Sequence, residues 1–336
     1  MQNNSLFSRL SFIISGISIG ALVFYFFTFS TYEEKEALSH QRQFNENYKV
    51  YSLNLPQGIT FAEESIPLQL IDVSEKLDRE LLVNTYWQSN GLLLIKRAHR
   101  WFPIIEPILK KNNIPNDFKY LALIESGLTQ IVSPAGATGF WQIMKATGKE
   151  NGLTINKEID ERYNVEKSTE VACKYLNEAY GRFGSWTLAA ASYNMGMNGL
   201  AKQLNRQKVN NYYDLLLNDE TGRYLYRIIA LKHIMNQPEK FGFNFRNTDL
   251  YPTIPTTEIV LDSGVSNFAW YARELNINYK VLKYFNPWLR QSYLTNAKKD
   301  TYLIKIPTFE YQSKLLLELP NFPVSDSVTI DSLVSN

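Results

Sequence analysis

The 336-residue sequence holds a single cysteine and three histidines. One cysteine excludes an internal disulfide framework. Cys173 falls within the helical pattern Val171, Ala172, Tyr175, Leu176, Ala179, where a buried structural thiol is expected rather than a nucleophile or metal ligand. The histidines, His40, His99 and His233, are scattered and show no HExxH-type spacing, so neither a metal site nor another cofactor is expected. An excess of charge of one sign is also lacking. The formal net charge is +2 with no basic cluster longer than a few residues, which leaves no footprint for nucleic acid. Strand-forming patterns are scarce between Val73 and Asn236.

What is present begins with an address. Leu10 to Phe29 runs for about 20 residues without a charge, preceded by Arg9 and followed by Glu33, Glu34 and Lys35, which fits a membrane span with its positive side inside. A long signal peptide is the alternative. Thr28 and Ser30 suit a weak cleavage site, but the alanine-based small-x-small pattern is missing and the run exceeds a usual signal core, so an uncleaved anchor is preferred. No cysteine follows the run, which excludes a lipid anchor there. Residues 1–30 are thus read as signal anchor or signal peptide, and the bulk of the chain as exported. Residues 31–67 are polar and irregular, with Pro56 and Gly58, and read as a linker.

With 45% hydrophobic residues, the remainder is rich enough for a sizeable core. Helical periodicity runs through Val73, Leu77, Leu81 and Leu82, then through Leu92 to Lys111, where Pro103 and Pro107 suggest two abutting helices. Further helices are expected at Phe140–Lys149, Lys167–Phe183, Ser185–Asn194 and Glu220–Asn236.

The stretch Asn116 to Gln142 carries the chemistry. Asn116 suits an N-cap, Asp117 a first turn and Gly127 a stop, so Asp117 to Ser126 reads as a short helix. Phe118, Leu121 and Ala122 lie seven, four and three residues before Glu125, at the end of whose apolar stripe the carboxyl sits. A carboxyl kept partly dry holds its proton to higher pH and can act as a general acid near neutrality. Ser133-Pro134-Ala135-Gly136-Ala137-Thr138-Gly139 then forms a tight turn that delivers Phe140-Trp141-Gln142. Farther on come Ala191-Ser192-Tyr193-Asn194 and Glu220-Thr221-Gly222-Arg223-Tyr224.

These blocks, in this order, resemble the lytic transglycosylase domain of bacterial cell-wall enzymes, whose pattern runs Glu-Ser, Gly-x-x-Gln, Ala-Tyr-Asn, Glu-Thr-x-x-Tyr. Ser192 replaces the alanine of the third block. Asp160-Glu161-Arg162 and the pair Ser168-Thr169 further resemble the membrane-bound lytic murein transglycosylase D branch. The resemblance covers roughly Ile66 to Phe241. It implies a mainly α, lysozyme-like catalytic domain, taken as residues 68–245, and a periplasmic location in the cell envelope. It also implies glycan strands of peptidoglycan as partner, with Glu125 as the catalytic acid and then base. Ser126, Gln142, Tyr193, Asn194 and Tyr224 would bind substrate. Glu220 would support Tyr224 from a first-turn capping arrangement.

Apart from the resemblance, glycosidic cleavage needs a protonated carboxyl, which Glu125 can supply, and usually a second carboxylate. Asp160 and Glu161 are nearest in sequence, but beside Arg162 a solvated structural ion pair is the better reading. Trp141 and Trp186 are candidates for stacking on sugar faces, although Trp186 also suits the core.

Gly242, Pro252 and Pro255 mark a boundary. Beyond it, strands at Glu258–Leu261 and Tyr302–Ile306 flank helices at Ser266–Leu275 and Tyr279–Phe285. This βααβ order over residues 250–310 resembles a LysM peptidoglycan-binding module, with Gly264-Val265-Ser266 where such modules have Gly-Asp-Thr or Gly-Asp-Ser. A small packing domain without a ligand is the alternative. Residues 311–336 are expected to be a tail, disordered at its end.

Overall fold

The computed structural model describes residues 51–315, together with positions 20, 21, 24, 25, 35, 38, 39 and 42. The chain divides into Met1–Ser52 and Leu53–Asn336. In the first unit the eight described positions before Tyr51 are helical, and Tyr51 and Ser52 are irregular. The apolar run Leu10–Phe29 lies mostly outside the described residues, as does the tail beyond Leu315. Among the described residues no helix is long and apolar enough to cross a membrane.

The second unit is mainly helical and begins earlier than the sequence suggests. The stretch up to Pro67, expected to be a linker, joins the core from Leu53 onward, and Phe61, Ala62 and Ile66 are buried. Here β1 (Thr60–Phe61) pairs antiparallel with β2 (Glu64–Ser65), placing Thr60 opposite Ser65. The reason is polar and tertiary. The Ala62 N–H donates to Asp117 Oδ2 at 2.7 Å, and the Glu64 carboxylate accepts from the N–H groups of Trp186 and Thr187 at 2.6 and 3.0 Å. Carboxylates are favoured at a helix N-terminus, where free N–H groups and the macrodipole meet them.

Two long helices follow, α1 (Ile71–Tyr86) and α2 (Gln88–Lys111). On α1, Val73, Leu77 and Leu81 form a buried stripe at four-residue spacing. The two helices expected around Pro103 and Pro107 are in fact one, with both prolines inside α2. Both rings are exposed and four residues apart, so the two missing N–H bonds fall along the outer line of the helix, where a curved helix already stretches its bonds. Ile105 and Leu109 keep the inner face packed.

The helix bearing Glu125 also starts differently. A 3-10 turn at Asn116–Phe118 leads into α3 (Lys119–Ser126), and no side chain caps it. Asp117 serves Ala62 and Lys232 Nζ instead, the latter at 2.6 Å. Gly127 ends α3 in the left-handed conformation, as expected. The helix expected at Phe140–Lys149 shrinks to α4 (Lys145–Glu150), because Thr138 bridges to both Val132 and Ile143 and holds the preceding segment as a paired turn.

The rest of the bundle is α5 (Val165–Phe183), α6 (Trp186–Met195), α7 (Met197–Gln207) and α8 (Asp219–Asn236), of which α7 has no counterpart in the sequence reading. Residues Thr187 to Ser192 of α6 are all buried. A helix covered on every side is an interior one, and α5, α7 and α8 pack around it.

The C-terminal module runs β3 (Thr256–Leu261), α9 (Phe268–Glu274), α10 (Tyr279–Phe285), β4 (Tyr302–Pro307) and α11 (Phe309–Leu315). Strands β3 and β4 pair antiparallel from Thr256 opposite Pro307 to Leu261 opposite Tyr302. Its core of Phe268, Ala272, Ile277, Leu282 and Ile304 also takes in Ile159 and Tyr163 from the first domain. Backbone pairing reinforces the joint: Asp160 N–H donates to Trp288 O at 2.9 Å and Arg290 N–H to Glu158 O at 2.7 Å.

Asp160 and Arg162 therefore form an ion pair, as expected, but a buried rather than a solvated one. Arg162 Nη2 meets Asp160 Oδ2 at 2.7 Å and Nε meets Oδ1 at 2.9 Å, while Nη1 donates to Gly136 O and Ile143 O. Burial follows from the module, which covers this segment. Removing one partner of such a pair leaves a charge stranded. Asp160→Asn is expected to cost about 3 kcal/mol, read as a lower urea midpoint at unchanged m; an unchanged midpoint would contradict this role.

Candidate active site

Three elements converge on Glu125. The residue sits at the last turn of α3, partly exposed, with Leu121, Ala122 and Leu123 buried behind it. From α8, the Tyr224 hydroxyl donates to Glu125 Oε1. Arg227, three residues on along the same face, donates to Ile124 O at 3.2 Å, and Arg97 from α2 donates to Gly127 O at 3.2 Å. Two guanidinium groups thus satisfy carbonyls at the C-terminal end of α3, where cations are favoured.

The turn after α3 is locked to it. Ser126 Oγ lies 2.9 Å from Phe140 O and 3.2 Å from Ala122 O, and Thr129 Oγ1 donates to Ser126 O at 2.6 Å. Gly139 is required at its position. It has φ +79°, and a Cβ there would stand 2.2 Å from Arg162 O. Gln142 also occupies the left-handed region at φ 46°, with its amide Nε2 2.8 Å from Gly139 O. Trp141 is fully buried and donates to Thr169 Oγ1 at 2.8 Å, which removes it as a sugar-stacking platform. Its backbone carbonyl accepts from the Tyr193 hydroxyl at 2.7 Å. Trp186 stacks on Tyr180 with centroids 4.0 Å apart and meets Phe118 edge-on.

The remaining candidates lie where α6 meets α8. Asn194 Oδ1 accepts from Thr221 Oγ1 at 2.7 Å, and its Nδ2 donates to Glu220 Oε1 at 3.1 Å. Asn218, not Glu220, caps α8, its side chain accepting from the Thr221 N–H. Glu220 is exposed and instead orients Asn194. Of the residues singled out in the sequence, Tyr224 touches Glu125 directly, and Tyr193 lies close enough for the two to act on each other electrostatically. Ser126 is buried in the frame, and Gln142 is folded back on its own turn. Arg97 and Arg227 were missed. The i, i+3 spacing of Arg227 from Tyr224 is the one local signal that could have found it, whereas nothing local ties Arg97 to a helix thirty residues away.

Electrostatics match this packing. Burial raises the Glu125 pKa, the Tyr224 hydrogen bond and the Arg227 charge oppose the rise, and the Glu220 charge adds to it. Burial, with the charge of Glu125, holds the hydroxyls of Tyr193 and Tyr224 protonated far above the usual range, so both remain donors. The arrangement can present a proton to an oxygen at the exposed edge of Glu125 and take one back.

Residues 102–216 match the Transglycosylase SLT domain, and residues 257–310 match the soluble lytic transglycosylase C-terminal LysM-like domain. The membrane-bound lytic murein transglycosylase D of Escherichia coli K12 is 29% identical over 204 residues, covering 59% of this chain and 44% of that protein. The chain thus matches less than half the length of this relative. Among solved structures, the 70 kDa soluble lytic transglycosylase of Escherichia coli gives a TM-score of 0.37 at 14% identity, over 63% of this chain and 42% of that one. An inactive mutant of the lytic transglycosylase Slt of Pseudomonas aeruginosa gives 0.34 at 18%, over 44% and 26%. By the two family matches the chain carries a transglycosylase SLT domain followed by a LysM-like domain.

A carboxyl group with a raised pKa binds its proton more tightly in the folded than in the unfolded state. Its ionisation therefore costs stability above the raised value and nothing below the unfolded one. Gln keeps the shape of Glu125 and still accepts from Tyr224, so Glu125→Gln is expected to raise Tm at about pH 8 and leave it unchanged near pH 3.5, below the usual Glu pKa of about 4.3. Equal shifts at both pH values, followed by calorimetry, would show that Glu125 carries no such cost.

Proposed function

We propose that this chain, with its SLT and LysM-like domains, is a lytic murein transglycosylase. It cleaves the β-1,4 bond between N-acetylmuramic acid and N-acetylglucosamine without water, leaving 1,6-anhydro-N-acetylmuramic acid ends, in remodelling or turnover of the cell wall. The observation that carries this reading is Glu125 in its cradle: one carboxyl whose burial favours the protonated form, with a tyrosine hydroxyl on one oxygen. Two candidates for a second carboxylate are already engaged. Both oxygens of Asp160 bind Arg162, and buried Glu161 accepts from Lys167 Nζ and, at 2.7 Å, from the Thr154 N–H.

In this mechanism Glu125 gives its proton to the glycosidic oxygen as the bond to the muramic acid anomeric carbon breaks. The departing N-acetylglucosamine keeps that proton as a hydroxyl. Glu125, now a carboxylate stabilised by Tyr224 and the Arg227 charge, takes the proton from the 6-hydroxyl of the same muramic acid, whose oxygen closes on the anomeric carbon. The nucleophile is tethered to its target and so acts at high effective concentration. In this reading Gln142, Tyr193 and Asn194 hold the uncharged N-acetylated sugars, Gln142 after its amide leaves Gly139 O. The protein is anchored through Leu10–Phe29, or released when that run is cleaved, with its catalytic part on the periplasmic side of the cell envelope.

Mass analysis of muropeptides released from purified sacculi tests the reaction, since anhydro ends are one water lighter than reducing ends. Reducing ends alone would mark a hydrolytic muramidase, and no release a noncatalytic wall-binding protein. Glu125→Gln is expected to lower turnover by about 10² to 10⁴ or more. Tyr224→Phe has a signed effect. It removes a bond that stabilises the carboxylate, so the Glu125 pKa rises further and the alkaline limb of the rate profile moves to higher pH. A limb that stays in place or moves down would detach Tyr224 from Glu125.

A further inference from the structure

Arg97, Arg100, Trp101 and Ile104 follow one another on α2 at i, i+3, i+4 and i+7, and so share a face of that helix. That face lines a cavity of about 420 Å³ between the SLT domain and the module. The volume lies within the range of small-ligand pockets, roughly 300–1,000 Å³. Glu125 is not on its wall. Much of the wall is apolar and poorly covered. Trp101 and Ile104 from α2, Tyr251 and Ile254 from the connection, and Phe285 from α10 all line the cavity, and each is only half-buried. Apolar side chains gathered in a hollow leave surface in water that an apolar body would remove.

Charge on the wall is one-sided. Glu166, its one acid, is bound by Lys305, and Lys283 Nζ donates to Leu289 O and Gln291 O within the module. Two arginines remain. Arg97 Nη1 donates to Gly127 O at 3.2 Å, while Arg100 donates through Nε to Pro252 O at 3.0 Å and through Nη1 to the Tyr284 hydroxyl at 2.8 Å. All three acceptors are neutral, and among the described residues neither arginine is paired with a carboxylate. The Arg100 guanidinium is fixed against two wall residues, 5.1 Å over the Tyr251 ring and bonded to Tyr284. Like charges three residues apart on a helix repel, and an anion beside them would offset that repulsion better than neutral oxygens do. An inorganic anion would leave the hollow uncovered. A neutral apolar molecule would leave the arginines as they are.

We propose that this cavity is a second binding site, for a small acid with an apolar body, of which medium-chain monocarboxylates are the simplest representatives. The carboxylate meets Arg97 and Arg100, whose planar guanidinium groups match its two oxygens. The body lies along Trp101, Ile104 and Phe285. The assignment does not depend on the reaction proposed for Glu125. It touches that site at one point, since Arg97 also holds Gly127 O at the end of α3.

The test is calorimetric titration of the full chain with octanoate, octanamide, hexanoate and acetate. Octanoate is expected to bind one to one. Octanamide keeps the body and loses the charge, and is expected to bind roughly tenfold more weakly, the difference between a hydrogen bond to a charged group and one to a neutral group. Each buried methylene contributes roughly fourfold in affinity, so hexanoate is expected to bind roughly fifteenfold more weakly and acetate not measurably. Arg100→Gln, with an unchanged circular dichroism spectrum, is expected to weaken octanoate by about the same tenfold and octanamide little. Ile104→Phe, which fills the cavity from α2, is expected to abolish binding of both. No saturable binding at millimolar octanoate, equal affinity for acid and amide, equal affinity for octanoate and acetate, or undiminished binding to folded Ile104→Phe would each overturn the assignment. Because no glycan is cleaved in the titration, its failure is separate from failure of the muropeptide experiment.

Discussion

The buried guanidinium of Arg162 is the point on which both the turn that carries Gln142 and the joint depend. It binds Asp160 through two nitrogens and reaches Gly136 O and Ile143 O, at the two ends of the turn that carries Gln142. Its own backbone carbonyl lies against Gly139, which leaves no room for a side chain there. On the other side, Asp160 N–H donates to Trp288 O of the module. A planar, always charged group with five donors can hold several strands of irregular backbone at once, which an ammonium on a flexible stem cannot do with the same geometry. Backbone held only by isolated bridges gains from such a partner: apart from Arg162, Ile143 O accepts from the Thr138 N–H and Gly136 O from the Thr138 hydroxyl.

Glu125 illustrates the opposite bargain. Its carboxyl lies where burial penalises ionisation, and the counterweights are a tyrosine hydroxyl and one guanidinium rather than an ion pair. A direct ion pair would have held the proton off and suppressed acid catalysis. A fully apolar pocket would have made the return step, in which Glu125 must exist as a carboxylate, costly. The proposed reaction uses one carboxyl as acid and then base, which needs an environment tolerant of both forms, and this mixed cradle has the features of one.

How far the sequence could be read depended on whether the deciding partners were local. Gly127, Gly184 and Gly196 ended helices where expected, because a left-handed or otherwise strained residue is a local requirement. The stripe of Val73, Leu77 and Leu81 and the βααβ order of the module were equally legible. Failures arose where distant groups decided. Asp117 abandoned the expected helix start for Lys232, 115 residues away, and residues 53–67 were drawn into the core through Glu64 and α6. The pairing of Tyr224 with Glu125 across 99 residues was legible only through the family resemblance. The roles of Arg97 and Arg227 were not, since an arginine that bonds a backbone carbonyl leaves no pattern in its partner's sequence.

The module's own residues bear on what it does. Val265 stands where related modules carry an aspartate, and here it is buried in the module core while its backbone pairs with Leu294. Gly264 is pressed so close to the backbone of Thr295 that an added Cβ would lie 2.8 Å from the carbonyl oxygen. The loop is thus committed to packing, not opened for a polar contact. Ile159 and Tyr163 complete the same core from the other domain, and the Arg290 guanidinium lies 4.0 Å over the Tyr163 ring. Cutting the chain near residue 250 would uncover those two side chains and strip Asp160 of its backbone partner. The module therefore cannot be treated as an appendage whose loss changes wall binding alone. Its contribution to the stability of the turn that carries Gln142 passes through those few residues.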